Sequence, residues 1–232
     1  MFYFDPLYLV MILPALLLSM WASWATRSRF EKWSRVPARS GASGASVARY
    51  LLDQNGLSDV RIVPVPGLLS DHYDPRQRVV RLSEPVYHGH SISAVAVAAH
   101  ETGHAIQHAR RYAPFALRSF SVPLASIGSN LGMIIIFTGF LLSFTKIVWL
   151  GILLFGGTVL FQVITLPVEL DASSRAKKEL DRLGLVTADE RPGVASVLNA
   201  AAMTYVGAAL SALSTLAHYV LRASSMGERR RG

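Results

Sequence analysis

Long apolar stretches alternate with polar, charged segments along the chain. Four stretches contain no Asp, Glu, Lys or Arg: residues 6–26, 119–145, 147–168 and 192–221. A helix needs about 20 apolar residues to cross a bilayer. The first three stretches therefore predict membrane-spanning helices. The fourth is rich in Ala, Ser, Thr and Gly, and fits either a span or a helix packed against protein.

This alternation divides the chain into five segments. They are an N-terminal anchor (1–26), a soluble domain (27–118), a helical hairpin (119–168), a further helix (169–191), and an Ala-rich helical segment with a basic tail (192–232). Mean hydropathy of +0.35 and 51% hydrophobic residues also favour a membrane protein. The predicted fold class is a mainly α integral-membrane protein with a small α+β domain.

Local patterns predict the elements of the polar segments. β-branched residues indicate strands at 60–65 and 78–82, with a turn region at 71–77 between them. An Ala-rich stretch predicts a helix from Ser93 to Arg111. Pro167 suits the first turn of another helix, which ends near Gly184.

Charge gives the expected orientation. The net charge is +8, and Lys and Arg cluster after the first stretch, before the second and after the third. Basic residues stay on the cytoplasmic side, so the soluble domain and the segment after the hairpin are expected there. The first stretch has no basic residue before it, which favours a retained anchor over a cleaved signal peptide. The absence of cysteine excludes disulfides, thiolate metal sites and cysteine nucleophiles.

The predicted Ala-rich helix contains His100-Glu101-Thr102-Gly103-His104. Residues at i and i+4 share a helix face, so His100 and His104 can bind one Zn²⁺ ion. The intervening Glu101 can take a proton from the water on that zinc. The metzincin class is rejected, because Arg110 stands where a third His is required and Gln107 replaces the required Gly.

A third protein ligand is still needed. The candidates are carboxylates after the hairpin: Glu169 first, Asp171 second and Glu179 third. A hairpin returns the chain to the side it left, which brings Glu169 to the same surface as the motif helix. The alternative is that Glu169 only stabilises the positive N-terminus of its own helix.

The motif and several other stretches resemble the YugP-like family of membrane-bound neutral zinc metallopeptidases. The arrangement is also similar to the HtpX and CAAX-prenyl endopeptidases, in which a Glu after a transmembrane hairpin is the third zinc ligand. That Glu corresponds to Glu169. Ala172 matches the usual Glu-x-x-Ala-Asp pattern, but Ser173 replaces its Asp and leaves the support of the ligand there open. The similar stretches are 99–108, 70–75, 79–83, 166–173 and 197–205.

These observations predict a zinc-dependent endopeptidase of the HExxH gluzincin type, with a zincin-like catalytic domain. Glu101 would be the general base, and the strand at 78–82 would hold an extended substrate by edge pairing. Tyr205 and His72 are candidate transition-state or substrate contacts. The alternatives are a non-catalytic zinc-binding scaffold or chaperone-like protein and, less favoured, a metal transporter.

The expected location is multi-pass in the cell (inner or plasma) membrane, with the site on the cytoplasmic side. The expected partners are a peptide or membrane-protein substrate and the lipid bilayer. Nucleic acid is not expected, because the basic residues flank the spans and do not form one stripe. The sequence does not indicate an oligomeric state.

Overall fold

The computed structural model describes residues 6–228 and is predominantly helical. The basic tail at 229–231 and the first five residues of the predicted anchor lie outside the described residues. The helices are α1 Pro6–Ser34, α2 Gly44–Gln54, α3 Glu84–Tyr87, α4 Ile92–Ala109, α5 Ala113–Ile127, α6 Met133–Leu141, α7 Thr145–Arg182 and α8 Arg191–Glu228, with a π-helical turn, Gly128–Gly132, between α5 and α6. The strands are β1 Arg61–Val65, β2 His72–Asp74 and β3 Val79–Ser83.

The chain forms two compact units. The helical unit comprises α1 as far as Trp21, Leu117–Leu166, and α8 from Tyr205. The site unit comprises Ala22–Ala116 and Pro167–Thr204. Each unit has its own core, and the chemistry predicted from the sequence falls in the site unit except for Tyr205.

Four helical segments of the described chain are long and apolar enough to cross a membrane: α1, α5 through α6, α7 and α8. In the helical unit, α1 packs antiparallel against α8. The hydroxyl oxygens of Ser19 and Ser211 are 3.5 Å apart, and the rings of Tyr8 and His218 are 4.8 Å apart between centroids. Residues nearer the start of α1 therefore lie against residues nearer the end of α8. The fourth apolar stretch therefore lies beside the first over much of its length.

The site unit contains a three-stranded sheet in the order β1-β3-β2, with β1 parallel and β2 antiparallel to β3. The two predicted strands are present, with slightly different bounds. β2 was predicted as turn, because three residues are too few to show a period-two pattern. The prediction that 78–82 is an edge strand is wrong: β3 lies in the centre, and the edges are β1 and β2.

Helix α4 is buried on most of its faces. The side chain of Ser91 caps its start by accepting a hydrogen bond from the backbone N–H of Ala94, at 3.2 Å. Ala98 belongs to an apolar cluster with the sheet residue Val80, and Ala99 to another with Leu180 of α7. The small Ala side chains let neighbouring elements approach α4 closely, which explains why this helix can hold a site within the core.

Helix α7 is continuous from Thr145 to Arg182, with Pro167 in its interior. The prediction that a new helix begins at Pro167 is therefore wrong. Proline removes one backbone donor but does not have to end a helix whose flanking residues are held by packing. Here Val168 and Ala172 are fully buried just after it. One helix thus carries the third apolar stretch and the candidate third ligand.

Candidate metal centre

The motif helix presents its two histidines on one face. His100 and His104 lie one turn apart on α4, with ring centroids 4.8 Å apart. Their side chains are 14% and 7% exposed, and Glu101 between them is also buried. Helix formation alone produces this pairing, because i and i+4 side chains share a face.

Glu169 of α7 completes a three-residue cluster. Its Oε2 atom lies 3.2 Å from Nε2 of His100 and 3.4 Å from Nε2 of His104. The ligand atoms of the three residues all lie within 4.8 Å of one another. Two ligand atoms that each lie about 2 Å from a tetrahedral zinc are about 3.3 Å apart. Both distances to Glu169 match that separation, and two imidazoles with one carboxylate suit zinc.

Close packing of α4 on α7 produces this geometry. A Cβ atom on Gly103 would lie 2.7 Å from the backbone carbonyl oxygen of Ala172, which is closer than any side chain tolerates. Gly103 is the residue between Glu101 and His104 that lets the two backbones meet. Ala172 is one turn beyond Glu169, so the contact fixes the height at which Glu169 faces the histidines.

The other two candidate carboxylates are held elsewhere. Asp171 accepts from Nε of Arg175 at 2.5 Å, and Glu179 accepts from Arg182 at 2.6 Å. The helix-dipole explanation of Glu169 is wrong, because α7 begins at Thr145, several turns earlier. A carboxylate that is 2% exposed needs compensating charge or hydrogen bonds, and a metal ion shared with the two histidines could provide that charge.

The outer nitrogens of both histidines have partners. Nδ1 of His100 lies 3.1 Å from Oγ of Ser173, and Nδ1 of His104 lies 2.9 Å from Oε1 of Gln107. Such contacts set the ring orientation of a metal-binding histidine and leave Nε2 to face the metal. In the sequence, Gln107 only excludes the metzincin pattern. Its position, one turn after His104 in a buried Ala-rich helix, is the signal that could have revealed this role.

The chain matches a protein family described as "Putative neutral zinc metallopeptidase" over residues 8–224. It belongs to this family. It is also 49% identical over 215 residues to the "Putative membrane protease YugP" of Bacillus subtilis (strain 168), a match that covers 93% of this chain and 96% of that protein. No solved structure matches the chain. The resemblance to the YugP-like family of neutral zinc metallopeptidases is confirmed.

Ser173 is the position at which the sequence departs from the Glu-x-x-Ala-Asp pattern. In the structure its hydroxyl oxygen lies 3.1 Å from Nδ1 of His100, so a neutral contact stands where the pattern has a carboxylate. The departure therefore does not leave His100 without a polar partner.

The two remaining candidate residues lie on other elements. His72 is exposed on β2, where its ring contacts the carbonyl oxygen of Ser70 at 2.8 Å and the Arg81 guanidinium at 3.3 Å. Tyr205 is half-buried on α8, in the helical unit. A role for either stays a prediction.

The residue after His72 connects the sheet to the motif helix. The hydroxyl of Tyr73 lies 2.9 Å from Nδ1 of His108, the last histidine of α4. Burial raises the pKa of Tyr73. Burial, and then the positive charge of Arg78, lowers the pKa of His108. The pair therefore favours a neutral imidazole beside a neutral phenol, which ties β2 to the end of α4.

Proposed function

We propose that this chain is a multi-pass membrane endopeptidase of the HExxH gluzincin type, in which His100, His104 and Glu169 hold a catalytic Zn²⁺. The observation that carries the proposal is the Glu169 carboxylate, 2% exposed and within 3.4 Å of both imidazole Nε2 atoms. Three protein ligands leave one coordination position open, as a catalytic zinc requires.

When bound, zinc supplies a Lewis acid that polarises the scissile carbonyl and makes a coordinated water acidic near neutral pH. Glu101 would be the general base. Its carboxylate accepts a proton from the attacking water as the new C–O bond forms, and returns a proton to the amine nitrogen as the C–N bond breaks. Glu101 lies between the two proposed histidine ligands in the sequence and is buried. Burial keeps bulk water away from its carboxylate, which supports a role in direct proton transfer.

The strand that would hold an extended substrate is β2. It is an edge strand, whereas β3 has neighbours on both sides. The Tyr73–His108 contact joins β2 to the motif helix, so a peptide paired with the β2 edge would run beside α4. This assignment replaces the edge role expected for residues 78–82.

The zincin-like domain would lie on the cytoplasmic side of the cell membrane. Basic residues follow the apolar part of α1 and precede the apolar part of α5, and both groups favour the cytoplasmic side. The expected substrates are membrane proteins or peptide segments close to the bilayer. The apolar stretches that flank the site segments in the sequence support substrates of this kind.

The test of this proposal is Glu101→Gln in the purified full-length chain. Zinc content should stay at one per chain, because the ligands are intact. Cleavage of a casein or membrane-protein substrate should fall by at least about 100-fold, as general-base catalysis typically contributes that much. Arg182→Gln, which changes an exposed ion pair with Glu179, is the control and should retain cleavage.

Cleavage that persists unchanged in Glu101→Gln would refute the general base. A wild-type chain that binds zinc but cleaves no substrate would favour the non-catalytic scaffold. His104→Ala tests the metal site independently of catalysis. The variant should lose its zinc, as measured by elemental analysis.

A further inference from the structure

Gln107 is fully buried, and its carboxamide lies between α4 and α7. Its Nε2 donates to the backbone carbonyl of Val168 at 2.8 Å and to Oδ2 of Asp171 at 2.8 Å. Its Oε1 lies 2.9 Å from Nδ1 of His104. The amide thus uses both of its donor hydrogens on α7 and turns its acceptor to the zinc ligand.

These contacts have a fixed direction. A backbone carbonyl and an ionised carboxylate can only accept, so the NH₂ group of Gln107 must face Val168 and Asp171. The carbonyl oxygen of Gln107 must then face His104, and it too can only accept. Nδ1 of His104 must therefore carry a hydrogen. In a neutral imidazole, this leaves a lone pair on Nε2, the atom that faces Glu169.

His100 has a different partner. The Ser173 hydroxyl, 3.1 Å from Nδ1 of His100, can either donate or accept. It therefore permits either tautomer. Nε2 of His100 is also the closer of the two imidazole nitrogens to Glu169, at 3.2 Å against 3.4 Å for His104. His100 can donate from Nε2 to the carboxylate when no metal is bound.

We propose that Gln107 is a positioning residue that locks His104 in the Nδ1-protonated tautomer, while Ser173 leaves the His100 tautomer free to change. One histidine is then ready to bind a metal before the metal arrives, and the other keeps the buried Glu169 hydrogen-bonded until it does. The part of this inference that concerns metal binding rests on the proposed zinc site. The tautomer itself does not.

The experiment uses the full-length, metal-free chain in detergent, labelled with ¹⁵N-histidine. Long-range ¹H–¹⁵N spectra distinguish the two tautomers of each ring above about pH 8, where an ordinary imidazole is neutral. The wild type should show His104 protonated at Nδ1. Gln107→Met keeps the size of the side chain but removes the acceptor, so His104 should move to the Nε2-protonated form. Zinc affinity, measured by chelator competition, should fall by about 10–100-fold.

The rescue is the exchange Gln107→Glu with Asp171→Asn. Glu at 107 still accepts from Nδ1 of His104 and Asn at 171 can donate to it, so the total charge and the His104 contact are kept. The hydrogen bond to the Val168 carbonyl is lost, so the exchange should lower the unfolding midpoint without changing the His104 tautomer. If Gln107 only packs, zinc affinity should be kept in Gln107→Met and lost in the double exchange, which is the opposite of the order expected here. Ser173→Ala is the matched control and should leave the His104 tautomer unchanged.

An Nε2-protonated His104 in the wild type would overturn the proposal, and this measurement requires no variant to fold. A Gln107→Met protein with an unchanged His104 tautomer would also overturn it. A locked His104 in a protein that does not bind zinc would instead refute the proposed function and leave the lock intact.

Discussion

Glu169 shows how one side chain acquires a role from its surroundings. A carboxylate just after an apolar stretch is common in a membrane protein, but a buried carboxylate at that position is unusual. Its 2% exposure, beside two imidazoles, removes it from water and makes a shared cation favourable. At the same scale, Gly103 matters because of the side chain it lacks. A Cβ there would lie 2.7 Å from the Ala172 carbonyl oxygen, so its absence sets the distance between the two histidines and Glu169.

We expect Gly103→Ala to destabilise the protein and weaken zinc binding. The added Cβ would lie 2.7 Å from the Ala172 carbonyl oxygen, a backbone atom that cannot move without shifting α7. Overpacking of this kind costs about 1–3 kcal/mol. The thermal unfolding midpoint in detergent should fall, and chelator competition should show a lower zinc affinity.

Gly156, on α7, provides the comparison for Gly103, which is on α4, because nothing lies within 4 Å of a Cβ placed at Gly156. Gly156→Ala should be neutral, or more stable by up to about 1 kcal/mol from helix propensity. Equal behaviour of the two variants would show that the α4–α7 contact does not position the site.

At the scale of elements, the contact between β2 and α4 would decide where the proposed substrate strand lies. β2 has three residues, and its Tyr73 reaches His108 at the end of the motif helix. The strand is thereby held at the helix that carries the ligands, although it pairs with β3 along one edge only. An edge strand fixed in this way is suited to pair with an extended peptide.

The burial of His108 at this contact predicts a pH dependence of stability. Burial lowers the pKa of His108 in the folded chain below its ordinary value of 6.5. Below that value the unfolded chain binds more protons than the folded chain, so stability falls as the pH drops from 6.5 toward the lower folded pKa. Above 6.5 this contribution is fully present.

His108→Gln should remove this part of the dependence, because the amide does not titrate. Unfolding midpoints of both metal-free proteins, measured between about pH 7.5 and 5.5, should decline less steeply in the variant. Metal-free samples keep zinc release out of the comparison. Parallel curves would show that His108 has the same pKa in both states.

At the scale of the whole molecule, the arrangement of the long helices determines on which side each end emerges. The antiparallel contacts of α1 with α8 indicate that α8 runs back along the path of α1. With the hairpin of α5, α6 and α7 between them, the chain would cross the bilayer four times. A full crossing by α8 places the basic residues near its end on the non-cytoplasmic side. Their preference for the cytoplasmic side would by itself favour a partial crossing.

Topology reporters can test this arrangement. A fusion after Arg118 should report the cytoplasm, and fusions after Ser143 and Glu228 should report the opposite side. One crossing separates Arg118 from Ser143, and two crossings, by α7 and α8, separate Ser143 from Glu228. A fusion at Glu228 on the same side as Arg118 would contradict the crossing of α8, and a non-cytoplasmic Arg118 would overturn the orientation.

The sequence alone determined the features that depend on local spacing. Three apolar stretches of bilayer length, the two strands of five residues and the pairing of His100 with His104 all follow from short-range periodicity, which the chain carries in any context. The sequence also ranked Glu169 first among the carboxylates, through the return of the hairpin. These predictions agree with the elements and the cluster that the structure contains.

Tertiary packing decided the remainder. The continuity of α7 through Pro167, the central place of β3 and the existence of β2 depend on neighbours distant in sequence, so no local pattern reveals them. The same holds for Gln107 and Ser173, which gain their partners only when α4 meets α7 at Gly103. Periodicity specifies which face a side chain occupies, whereas the atom opposite it is set by long-range contacts between helices.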